Sequence, residues 1–310
     1  MLSRRALLSI FTGLVFALPL QASGAEIAHE MGITAVPDAP QRIVVLEFSF
    51  IDALASVGVA PVGIADDNKR ARIIPAYTDI IGDDWVSVGT RKTPSLEIIA
   101  ALQPDLIIAD KTRHAAAYDT LSEIAPTIVL DSLGGDYYAS VAQMSVIGQA
   151  LGKQNEMDAR VAAHRATMAA YVDEIKTASS GVTAQFGVTN ATGLWLHSPK
   201  SYNGSLLDMF GFSSNMSPTE GGVYQTNYVP TTLEQLSVVD PDILILGKYA
   251  RPAFTDSWSG DALYDGLTAV KSGKVFQVTA HNWSRLRGML AAEMTAQDML
   301  EIIRMTSESN

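Results

Sequence analysis

An α/β fold of two lobes with largely parallel sheets, joined by one long rigid helix, is predicted by three observations. The first is an internal repeat: residues 96–111, LEIIAALQPDLIIADK, return as residues 233–248, LEQLSVVDPDILILGK, at a constant offset of 137 without a gap. Each copy reads as a short helix, a Pro-Asp turn that cannot continue it, and an unbroken apolar run suited to a strand buried on both faces. A unit repeated over so long a distance implies two similar lobes rather than a solenoid, whose periods are shorter. The second is the alternation of strand and helix patterns through both halves, the mark of α/β lobes. The third is a proline-free middle, 138–151 and 154–176, in which Met157, Val161, Arg165, Met168 and Val172 fall on one helical face. At 1.5 Å rise, about 23 residues give roughly 34 Å, enough to join two lobes by one stiff rod.

The elements follow in order. Residues 1–25 read as an address: Arg4 and Arg5 begin it, residues 6–20 form an apolar core, and Ser23-Gly24-Ala25 offers small residues for cleavage before Glu26. The apolar run has 15 residues, short of the roughly 20 that span a bilayer. A cleavable export signal is therefore expected, either an ordinary secretory one or, from Ser3-Arg4-Arg5-Ala6-Leu7-Leu8, one of the twin-arginine kind. The first lobe, 26–152, has a strand at 42–46, a helix at 49–57 closed by Gly58, a strand at 62–65, the first repeat copy and a strand at 128–130. The backbone helix takes 153–178. The second lobe, 179–310, has strands at 185–188 and 275–278, a helix at 201–210 closed by Gly211, the second repeat copy and a final helix at 289–305.

Composition narrows the chemistry. The chain has 310 residues, 47% apolar and 18% charged, which is globular and long enough for two lobes. Its formal charge is −11, and without Arg4 and Arg5 the balance is 20 basic against 33 acidic residues, or −13. That argues against nucleic acid as a partner and against a polybasic membrane anchor. The absence of cysteine removes disulfides, thiolate metal sites and lipidation of a cysteine, so no lipid anchor is expected, and because no second apolar stretch approaches spanning length the processed protein is expected to be soluble. There is no HExxH, phosphate-loop, GxSxG or CxxC pattern, and His29, His114, His164, His197 and His281 show no metal-pair spacing. No enzyme and no cofactor are expected. The acidic pairs Asp66-Asp67 and Asp83-Asp84 read as solvated turns.

Several motifs then carry a family resemblance: Pro40-Gln41-Arg42-Ile43-Val44-Val45-Leu46, Gly63-Ile64-Ala65-Asp66, Val88-Gly89-Thr90-Arg91-Lys92-Thr93-Pro94-Ser95-Leu96-Glu97, Arg113-His114-Ala115 and Asn282-Trp283-Ser284-Arg285-Leu286-Arg287-Gly288. With the export signal, the middle helix and the second repeat copy, their order resembles the iron-siderophore and vitamin B12 class of periplasmic substrate-binding proteins, the helical-backbone or class III type. The likeness covers the whole processed chain and is weakest over 189–228. It implies a monomer in the periplasm, with a shallow cleft between lobes and delivery to the permease subunits of an inner-membrane ABC transporter. The ligand it implies is ferric citrate (iron dicitrate), with the iron held by its chelator and no protein atom bound to the metal. Another ferric siderophore, hydroxamate or catecholate, and haem are the alternatives.

Small ligands are commonly held between lobes, so the strand-to-helix loops are where chemistry is expected. In the resembling family an arginine at the place of Arg91 contacts the iron chelate, and a guanidinium suits carboxylate oxygens because it is a planar, permanently charged fork of donors. Arg113 follows the first repeat's strand. Arg285 and Arg287 both face a cleft if their segment is extended and diverge if it is helical. Trp195, Tyr202, Tyr224, Tyr228 and Trp283 offer apolar surfaces with polar tips for the rim. Asn190, Thr192 and His197 lie in the same variable stretch, and Lys111 and Lys248, equivalent in the repeat, add to the field. Charge-assisted hydrogen bonds contribute about 1.5–3 kcal/mol each, so three supply roughly 5–9 kcal/mol, near the 8 kcal/mol of micromolar binding. Glu97 and Glu234 occupy equivalent first turns of the repeat helices, where a carboxylate favours the helix dipole on its own account. In the resembling family these glutamates pair with arginines of the two transporter subunits, and two acidic knobs related by pseudo-symmetry suit a symmetric pair of basic sockets.

Overall fold

The computed structural model describes residues 24–308 apart from 218, so the expected export signal lies, but for its last two residues, outside the described part. Those two residues begin a hairpin of β1 (Gly24–His29) and β2 (Gly32–Pro37), with Gly24 opposite Pro37 and Ala25 opposite Val36. The sequence pattern does not announce this hairpin.

The first lobe's sheet consists of β3 (Ile43–Val45), β4 (Gly63–Ile64), β5 (Val86–Ser87), β6 (Leu106–Asp110) and β7 (Thr127–Leu130). Its order is β5-β4-β3-β6-β7, all parallel. The apolar runs are unbroken because both faces are covered: Ile43, Val45, Leu106 and Ile108 join one core, while Val44, Leu46, Ile107 and Ala109 join another. The second lobe repeats the order with β8 (Ala184–Thr189), β9 (Leu194–His197), β10 (Tyr228–Thr231), β11 (Ile243–Lys248) and β12 (Val275–Val278), arranged β10-β9-β8-β11-β12. Here β11 runs parallel to β8 and β12, but β9 is antiparallel to both β8 and β10. Parallel strands need a long crossover. Between β8 and β9 there is only a tight turn, in which the Asn190 side chain accepts the backbone N–H of Thr192 and Gly193 at 2.7 and 3.1 Å.

The 137-residue repeat is visible in detail. The first copy folds as helix Leu96–Ala101 and β6, the second as helix Leu233–Val239 and β11. Gln103 (φ 47°) and Asp240 (φ 35°) are left-handed at the same repeat position, turning the chain before each proline. Asp105 then accepts the backbone N–H of Gln41 and Arg42 at 2.7 and 2.8 Å, and its counterpart Asp242 accepts that of Thr183 at 2.8 Å. Each aspartate anchors the entry to its lobe's central strand.

Helix Gln154–Ser179, with 26 residues, joins the lobes. It begins on the first core through Met157 and ends on the second through Met168 and Ile175. Its buried seam passes through His164; Arg165, expected on that face, is exposed. The C-terminal helix Met289–Glu308 runs beside it in the same direction: Arg160 meets Glu293 at 2.9 Å, Tyr171 meets Gln297 at 3.1 Å and Glu174 meets Arg304 at 3.1 Å. Buried His164 lies between Glu293 (2.7 Å) and the Tyr137 hydroxyl (2.9 Å).

That C-terminal helix starts against the first lobe. Asp52, fully buried in helix Phe48–Ser56, accepts the backbone N–H of Met289 (2.7 Å), Leu290 (3.2 Å) and Ala291 (2.9 Å) and the hydroxyl of Tyr77 (3.0 Å). One carboxylate thus takes three of the donors a helix N-terminus leaves unpaired. Gly288 (φ +124°) precedes them, because a Cβ there would run into the Asp52 carboxylate. Burial pushes the Asp52 carboxyl up to about 6 from 3.8, against the pull of its donors.

Asp52→Ala is expected to lower unfolding free energy by about 2–4 kcal/mol, since it strands buried donors; urea denaturation measures this. A folded-state pKa above the unfolded value means that the stability linked to this group is fully present below pH 3.8 and is lost as pH rises through about 6. Asp52→Asn cannot titrate, and the difference in stability between it and the wild type should change over that window and flatten outside it.

Candidate binding cleft

Both sheets aim the C-terminal ends of their parallel strands at the seam between the lobes, where α/β sheets place ligand loops. A cavity of about 360 Å³ opens there. The first lobe lines it with Arg91, Arg113 and Leu133, and the second with Val188, Trp195, His197, Tyr224, Tyr228, Tyr249, Ser284, Arg285 and Arg287. Arg91, Arg113, Arg285, Arg287, Trp195 and Tyr224 are therefore brought together by the fold.

Local geometry explains the arginine pair. Helix Ala280–Arg285 stops at Arg285, and Leu286 is extended (φ −80°, ψ 141°) with its side chain buried. The chain then alternates, so Arg285 and Arg287 both reach the cleft while Leu286 enters the core. Neither of the two simple cases, extended or helical, holds throughout.

The guanidinium groups differ in what already holds them. Arg91, 6% exposed, gives Nη1 to Glu47 at 3.0 Å and Nε and Nη2 to one oxygen of Asp67 at 3.1 and 3.0 Å, above the Phe48 ring. Its backbone is pinned as well, since its carbonyl accepts from His114 Nε2 at 2.7 Å while His114 Nδ1 accepts the Asp110 N–H at 2.9 Å. Arg113 pairs with the other oxygen of Glu47 at 2.5 Å. Arg285 reaches across the seam to Asp67 at 3.2 Å and gives Nε to Tyr249 at 2.8 Å. Arg287, 3% exposed, donates to the Tyr228 hydroxyl at 2.8 Å, and its Nε has no hydrogen-bond partner. Among the described residues it makes no ion pair. Glu47 acts on Arg287 only from beyond ion-pair distance, and a buried cation whose counter-charge is not in contact is costly to maintain.

Titration follows from these contacts. Burial would raise the Glu47 carboxyl, but Arg91, Arg113 and Arg287 together draw it below its usual value. Burial would likewise raise Asp67, and Arg91 leads the groups that hold it down. His197, packed between Phe186 and Tyr228, is pushed down to about 3 by burial and then by Arg287, so it is neutral at physiological pH.

Several expectations need correction. Trp283 is not at the rim: it is 1% exposed in the second lobe's core, donating Nε1 to Asp298 at 2.7 Å. Tyr202 is also buried, its hydroxyl bound to the backbone of Gly288. Lys111 and Lys248 are spent on Glu30 (2.7 Å) and Asp256 (2.5 Å), away from the cavity lining. The pair Asp66-Asp67 is no solvated turn, for Asp66 is 2% exposed and Asp67 sits among three arginines, Arg72 being the third. Glu47, Asp67 and Tyr249, which hold the cleft arginines, were not singled out in the sequence, and His114, quoted there in a motif, was given no role. The one available signal was Glu47, a charge placed immediately after a run of buried-strand residues.

Tyr228→Phe removes the one side-chain acceptor of Arg287 among the described residues. It should weaken binding of a polycarboxylate anion about tenfold and lower the melting temperature, since the Leu133 carbonyl loses its donor as well; isothermal calorimetry and a thermal scan check both.

A family model described as periplasmic binding protein matches residues 43–281. The Fe(3+) dicitrate-binding periplasmic protein FecB of Escherichia coli (strain K12) is 39% identical over 293 residues, covering 94% of this chain and 94% of that one. The Fe(3+)-citrate-binding protein YfmC of Bacillus subtilis (strain 168) is 37% identical, covering 91% and 87%. Among solved structures, Staphylococcus aureus SirA complexed with staphyloferrin B superposes with a TM-score of 0.78 at 24% identity, over 90% of this chain and 98% of that one, a likeness of fold.

Proposed function

The chain belongs to the periplasmic binding protein family, and on that footing we propose that it binds ferric citrate in the interlobe cleft and delivers it to an inner-membrane ABC importer for iron uptake. The observation that carries the ligand class is Arg287, a buried guanidinium that forms no ion pair among the described residues, on the wall of a cavity that Arg91, Arg113 and Arg285 also line. The residues that line the cavity include four guanidinium groups and no carboxylate, in a chain whose formal charge is −11. Ferric citrate presents carboxylates on its outside, so outer-sphere hydrogen bonds hold it and the metal stays with its chelator. Trp195, Tyr224 and Tyr249 supply an apolar rim with polar tips. The family is one of solute binding, and the proposed mechanism contains no chemical step.

Docking is assigned to Glu97 and Glu234. Both are exposed in the first turns of their helices, behind the caps Ser95 and Thr232, and neither forms an ion pair among the described residues. The proposed site of action is the periplasm, reached through the N-terminal export signal, and the proposed acting form is the monomer.

Arg113→Gln combined with Arg287→Gln should weaken ferric citrate binding at least about a hundredfold, because each lost charge-assisted contact contributes about 1.5–3 kcal/mol. Trp195 lines the cleft whereas Trp85, Trp258 and Trp283 are buried, so quenching of fluorescence by the ferric complex provides the titration. Wild-type affinity in the double variant would remove the assignment of the pocket. Glu97→Ala with Glu234→Ala should leave that titration unchanged and stop uptake of radiolabelled iron by cells. Normal uptake would return both residues to a helix-dipole role.

A further inference from the structure

Asp67 joins arginines of the two lobes just behind the cavity that they line. Its Oδ2 accepts Arg91 Nε and Nη2 at 3.1 and 3.0 Å from the first lobe and Arg285 Nη1 at 3.2 Å from the second, and it also pairs with Arg72. Oδ1 accepts the Arg91 backbone N–H at 3.0 Å. No other carboxylate of the described residues bridges the two lobes' cleft arginines; Glu47 holds Arg91 and Arg113, both of the first lobe.

The loop is built to put it there. Asp67 (φ 61°) and Asn68 (φ 55°) are consecutive left-handed residues without being glycine. They are held by Asp67 N–H to the Gly89 carbonyl at 3.1 Å and Asn68 N–H to Asp66 Oδ1 at 3.0 Å, with Ser87 also on that oxygen. Strained backbone of this kind persists where the surroundings over-determine it. The side chain it delivers is 13% exposed.

We propose that Asp67 is an internal competitor for the ligand: it occupies Arg91 and Arg285 in the empty cleft, keeps those guanidiniums and Arg72 from repelling one another, and yields part of their hydrogen bonding when an external polycarboxylate enters. Arg113 and Arg287, which Asp67 does not touch, are the first grip for the arriving anion. The threshold this sets favours ligands that reach several arginines together over a small carboxylate reaching one or two. The inference rests on the anion-cleft reading above.

A merely structural Asp67 and a competing Asp67 differ in sign. Removing a residue that only positions arginines weakens binding, whereas removing a competitor tightens it. Asp67→Asn and Asp67→Gly, the latter free of strain at positive φ, are titrated with ferric citrate and with iron-free citrate by Trp195 fluorescence and calorimetry. The expected result is a dissociation constant about fivefold to tenfold smaller for ferric citrate in both variants. A steeper salt dependence and a lower melting temperature of the empty protein should accompany it. Unchanged or weaker binding in both folded variants, with the wild type binding normally, overturns the competitor and leaves the cleft reading intact. If the wild type and both variants bind neither probe, the cleft reading falls and the inference falls with it.

Discussion

The structure depends on one buried carboxylate holding the start of one helix. Asp52 belongs to the first lobe, while helix Met289–Glu308 runs on into the second lobe's core, and three backbone N–H groups of its first turn end on that aspartate. Water cannot substitute for the contact, since Asp52 is fully buried and Gly288 leaves no space beside it. The helix therefore cannot tilt away from the first lobe without exposing unpaired donors to an apolar interior. Together with helix Gln154–Ser179, which runs parallel to it, this gives the seam two rigid crossings rather than one. Arg285 and Arg287 lie immediately before the capped turn, so the fixation that joins the lobes also fixes the second lobe's half of the cleft.

The electrostatics of the cleft follow from how few counter-charges it has. Glu47 and Asp67 neutralise and orient Arg91, Arg113 and Arg285, and the arginines in turn keep both carboxyls ionised. Arg287 is left with a phenol, Tyr228, whose own hydroxyl is anchored to the Leu133 carbonyl of the other lobe at 3.0 Å. Preorganised donors of this kind lose little entropy on binding, and excess charge in a poorly solvated seam acts more strongly than the same charge on the surface. A chain that is acidic in sum can in this way present a basic pocket.

Pseudo-symmetry supplies the frame. The same strand order, the same left-handed residue before Pro104 and Pro241, and the same aspartate tying the central strand occur in both lobes. The lobes part company where the second replaces crossovers by the hairpin of β8 and β9. That change puts Trp195 on β9 and Tyr228 on β10 at the cavity, so one lobe contributes mostly arginine and the other adds the aromatic wall.

The sequence by itself determined the two lobes, the repeat and the middle helix, because these rest on local signals: unbroken apolar runs, Pro-Asp turns and helical periodicity. It nominated Arg91, Arg113, Arg285 and Arg287 from loops that follow strands and from resemblance, but left open which of them face the seam. It did not determine which aromatics face the ligand. Trp283 and Tyr202 look as suitable as Trp195 and Tyr224, but the first two are buried in the second lobe's core, where Asp298 and Gly288, 15 and 86 residues away, pair their polar tips. Nor did it reveal Glu47, Asp67 or Asp52 as more than ordinary acids. Their roles exist only because folding brings Arg91, Arg113, Arg285 and the first turn of the last helix to them from 24 to 239 residues away. A carboxylate's function is set by the donors around it in a medium that screens weakly, and where donors come from different elements only the tertiary structure decides it.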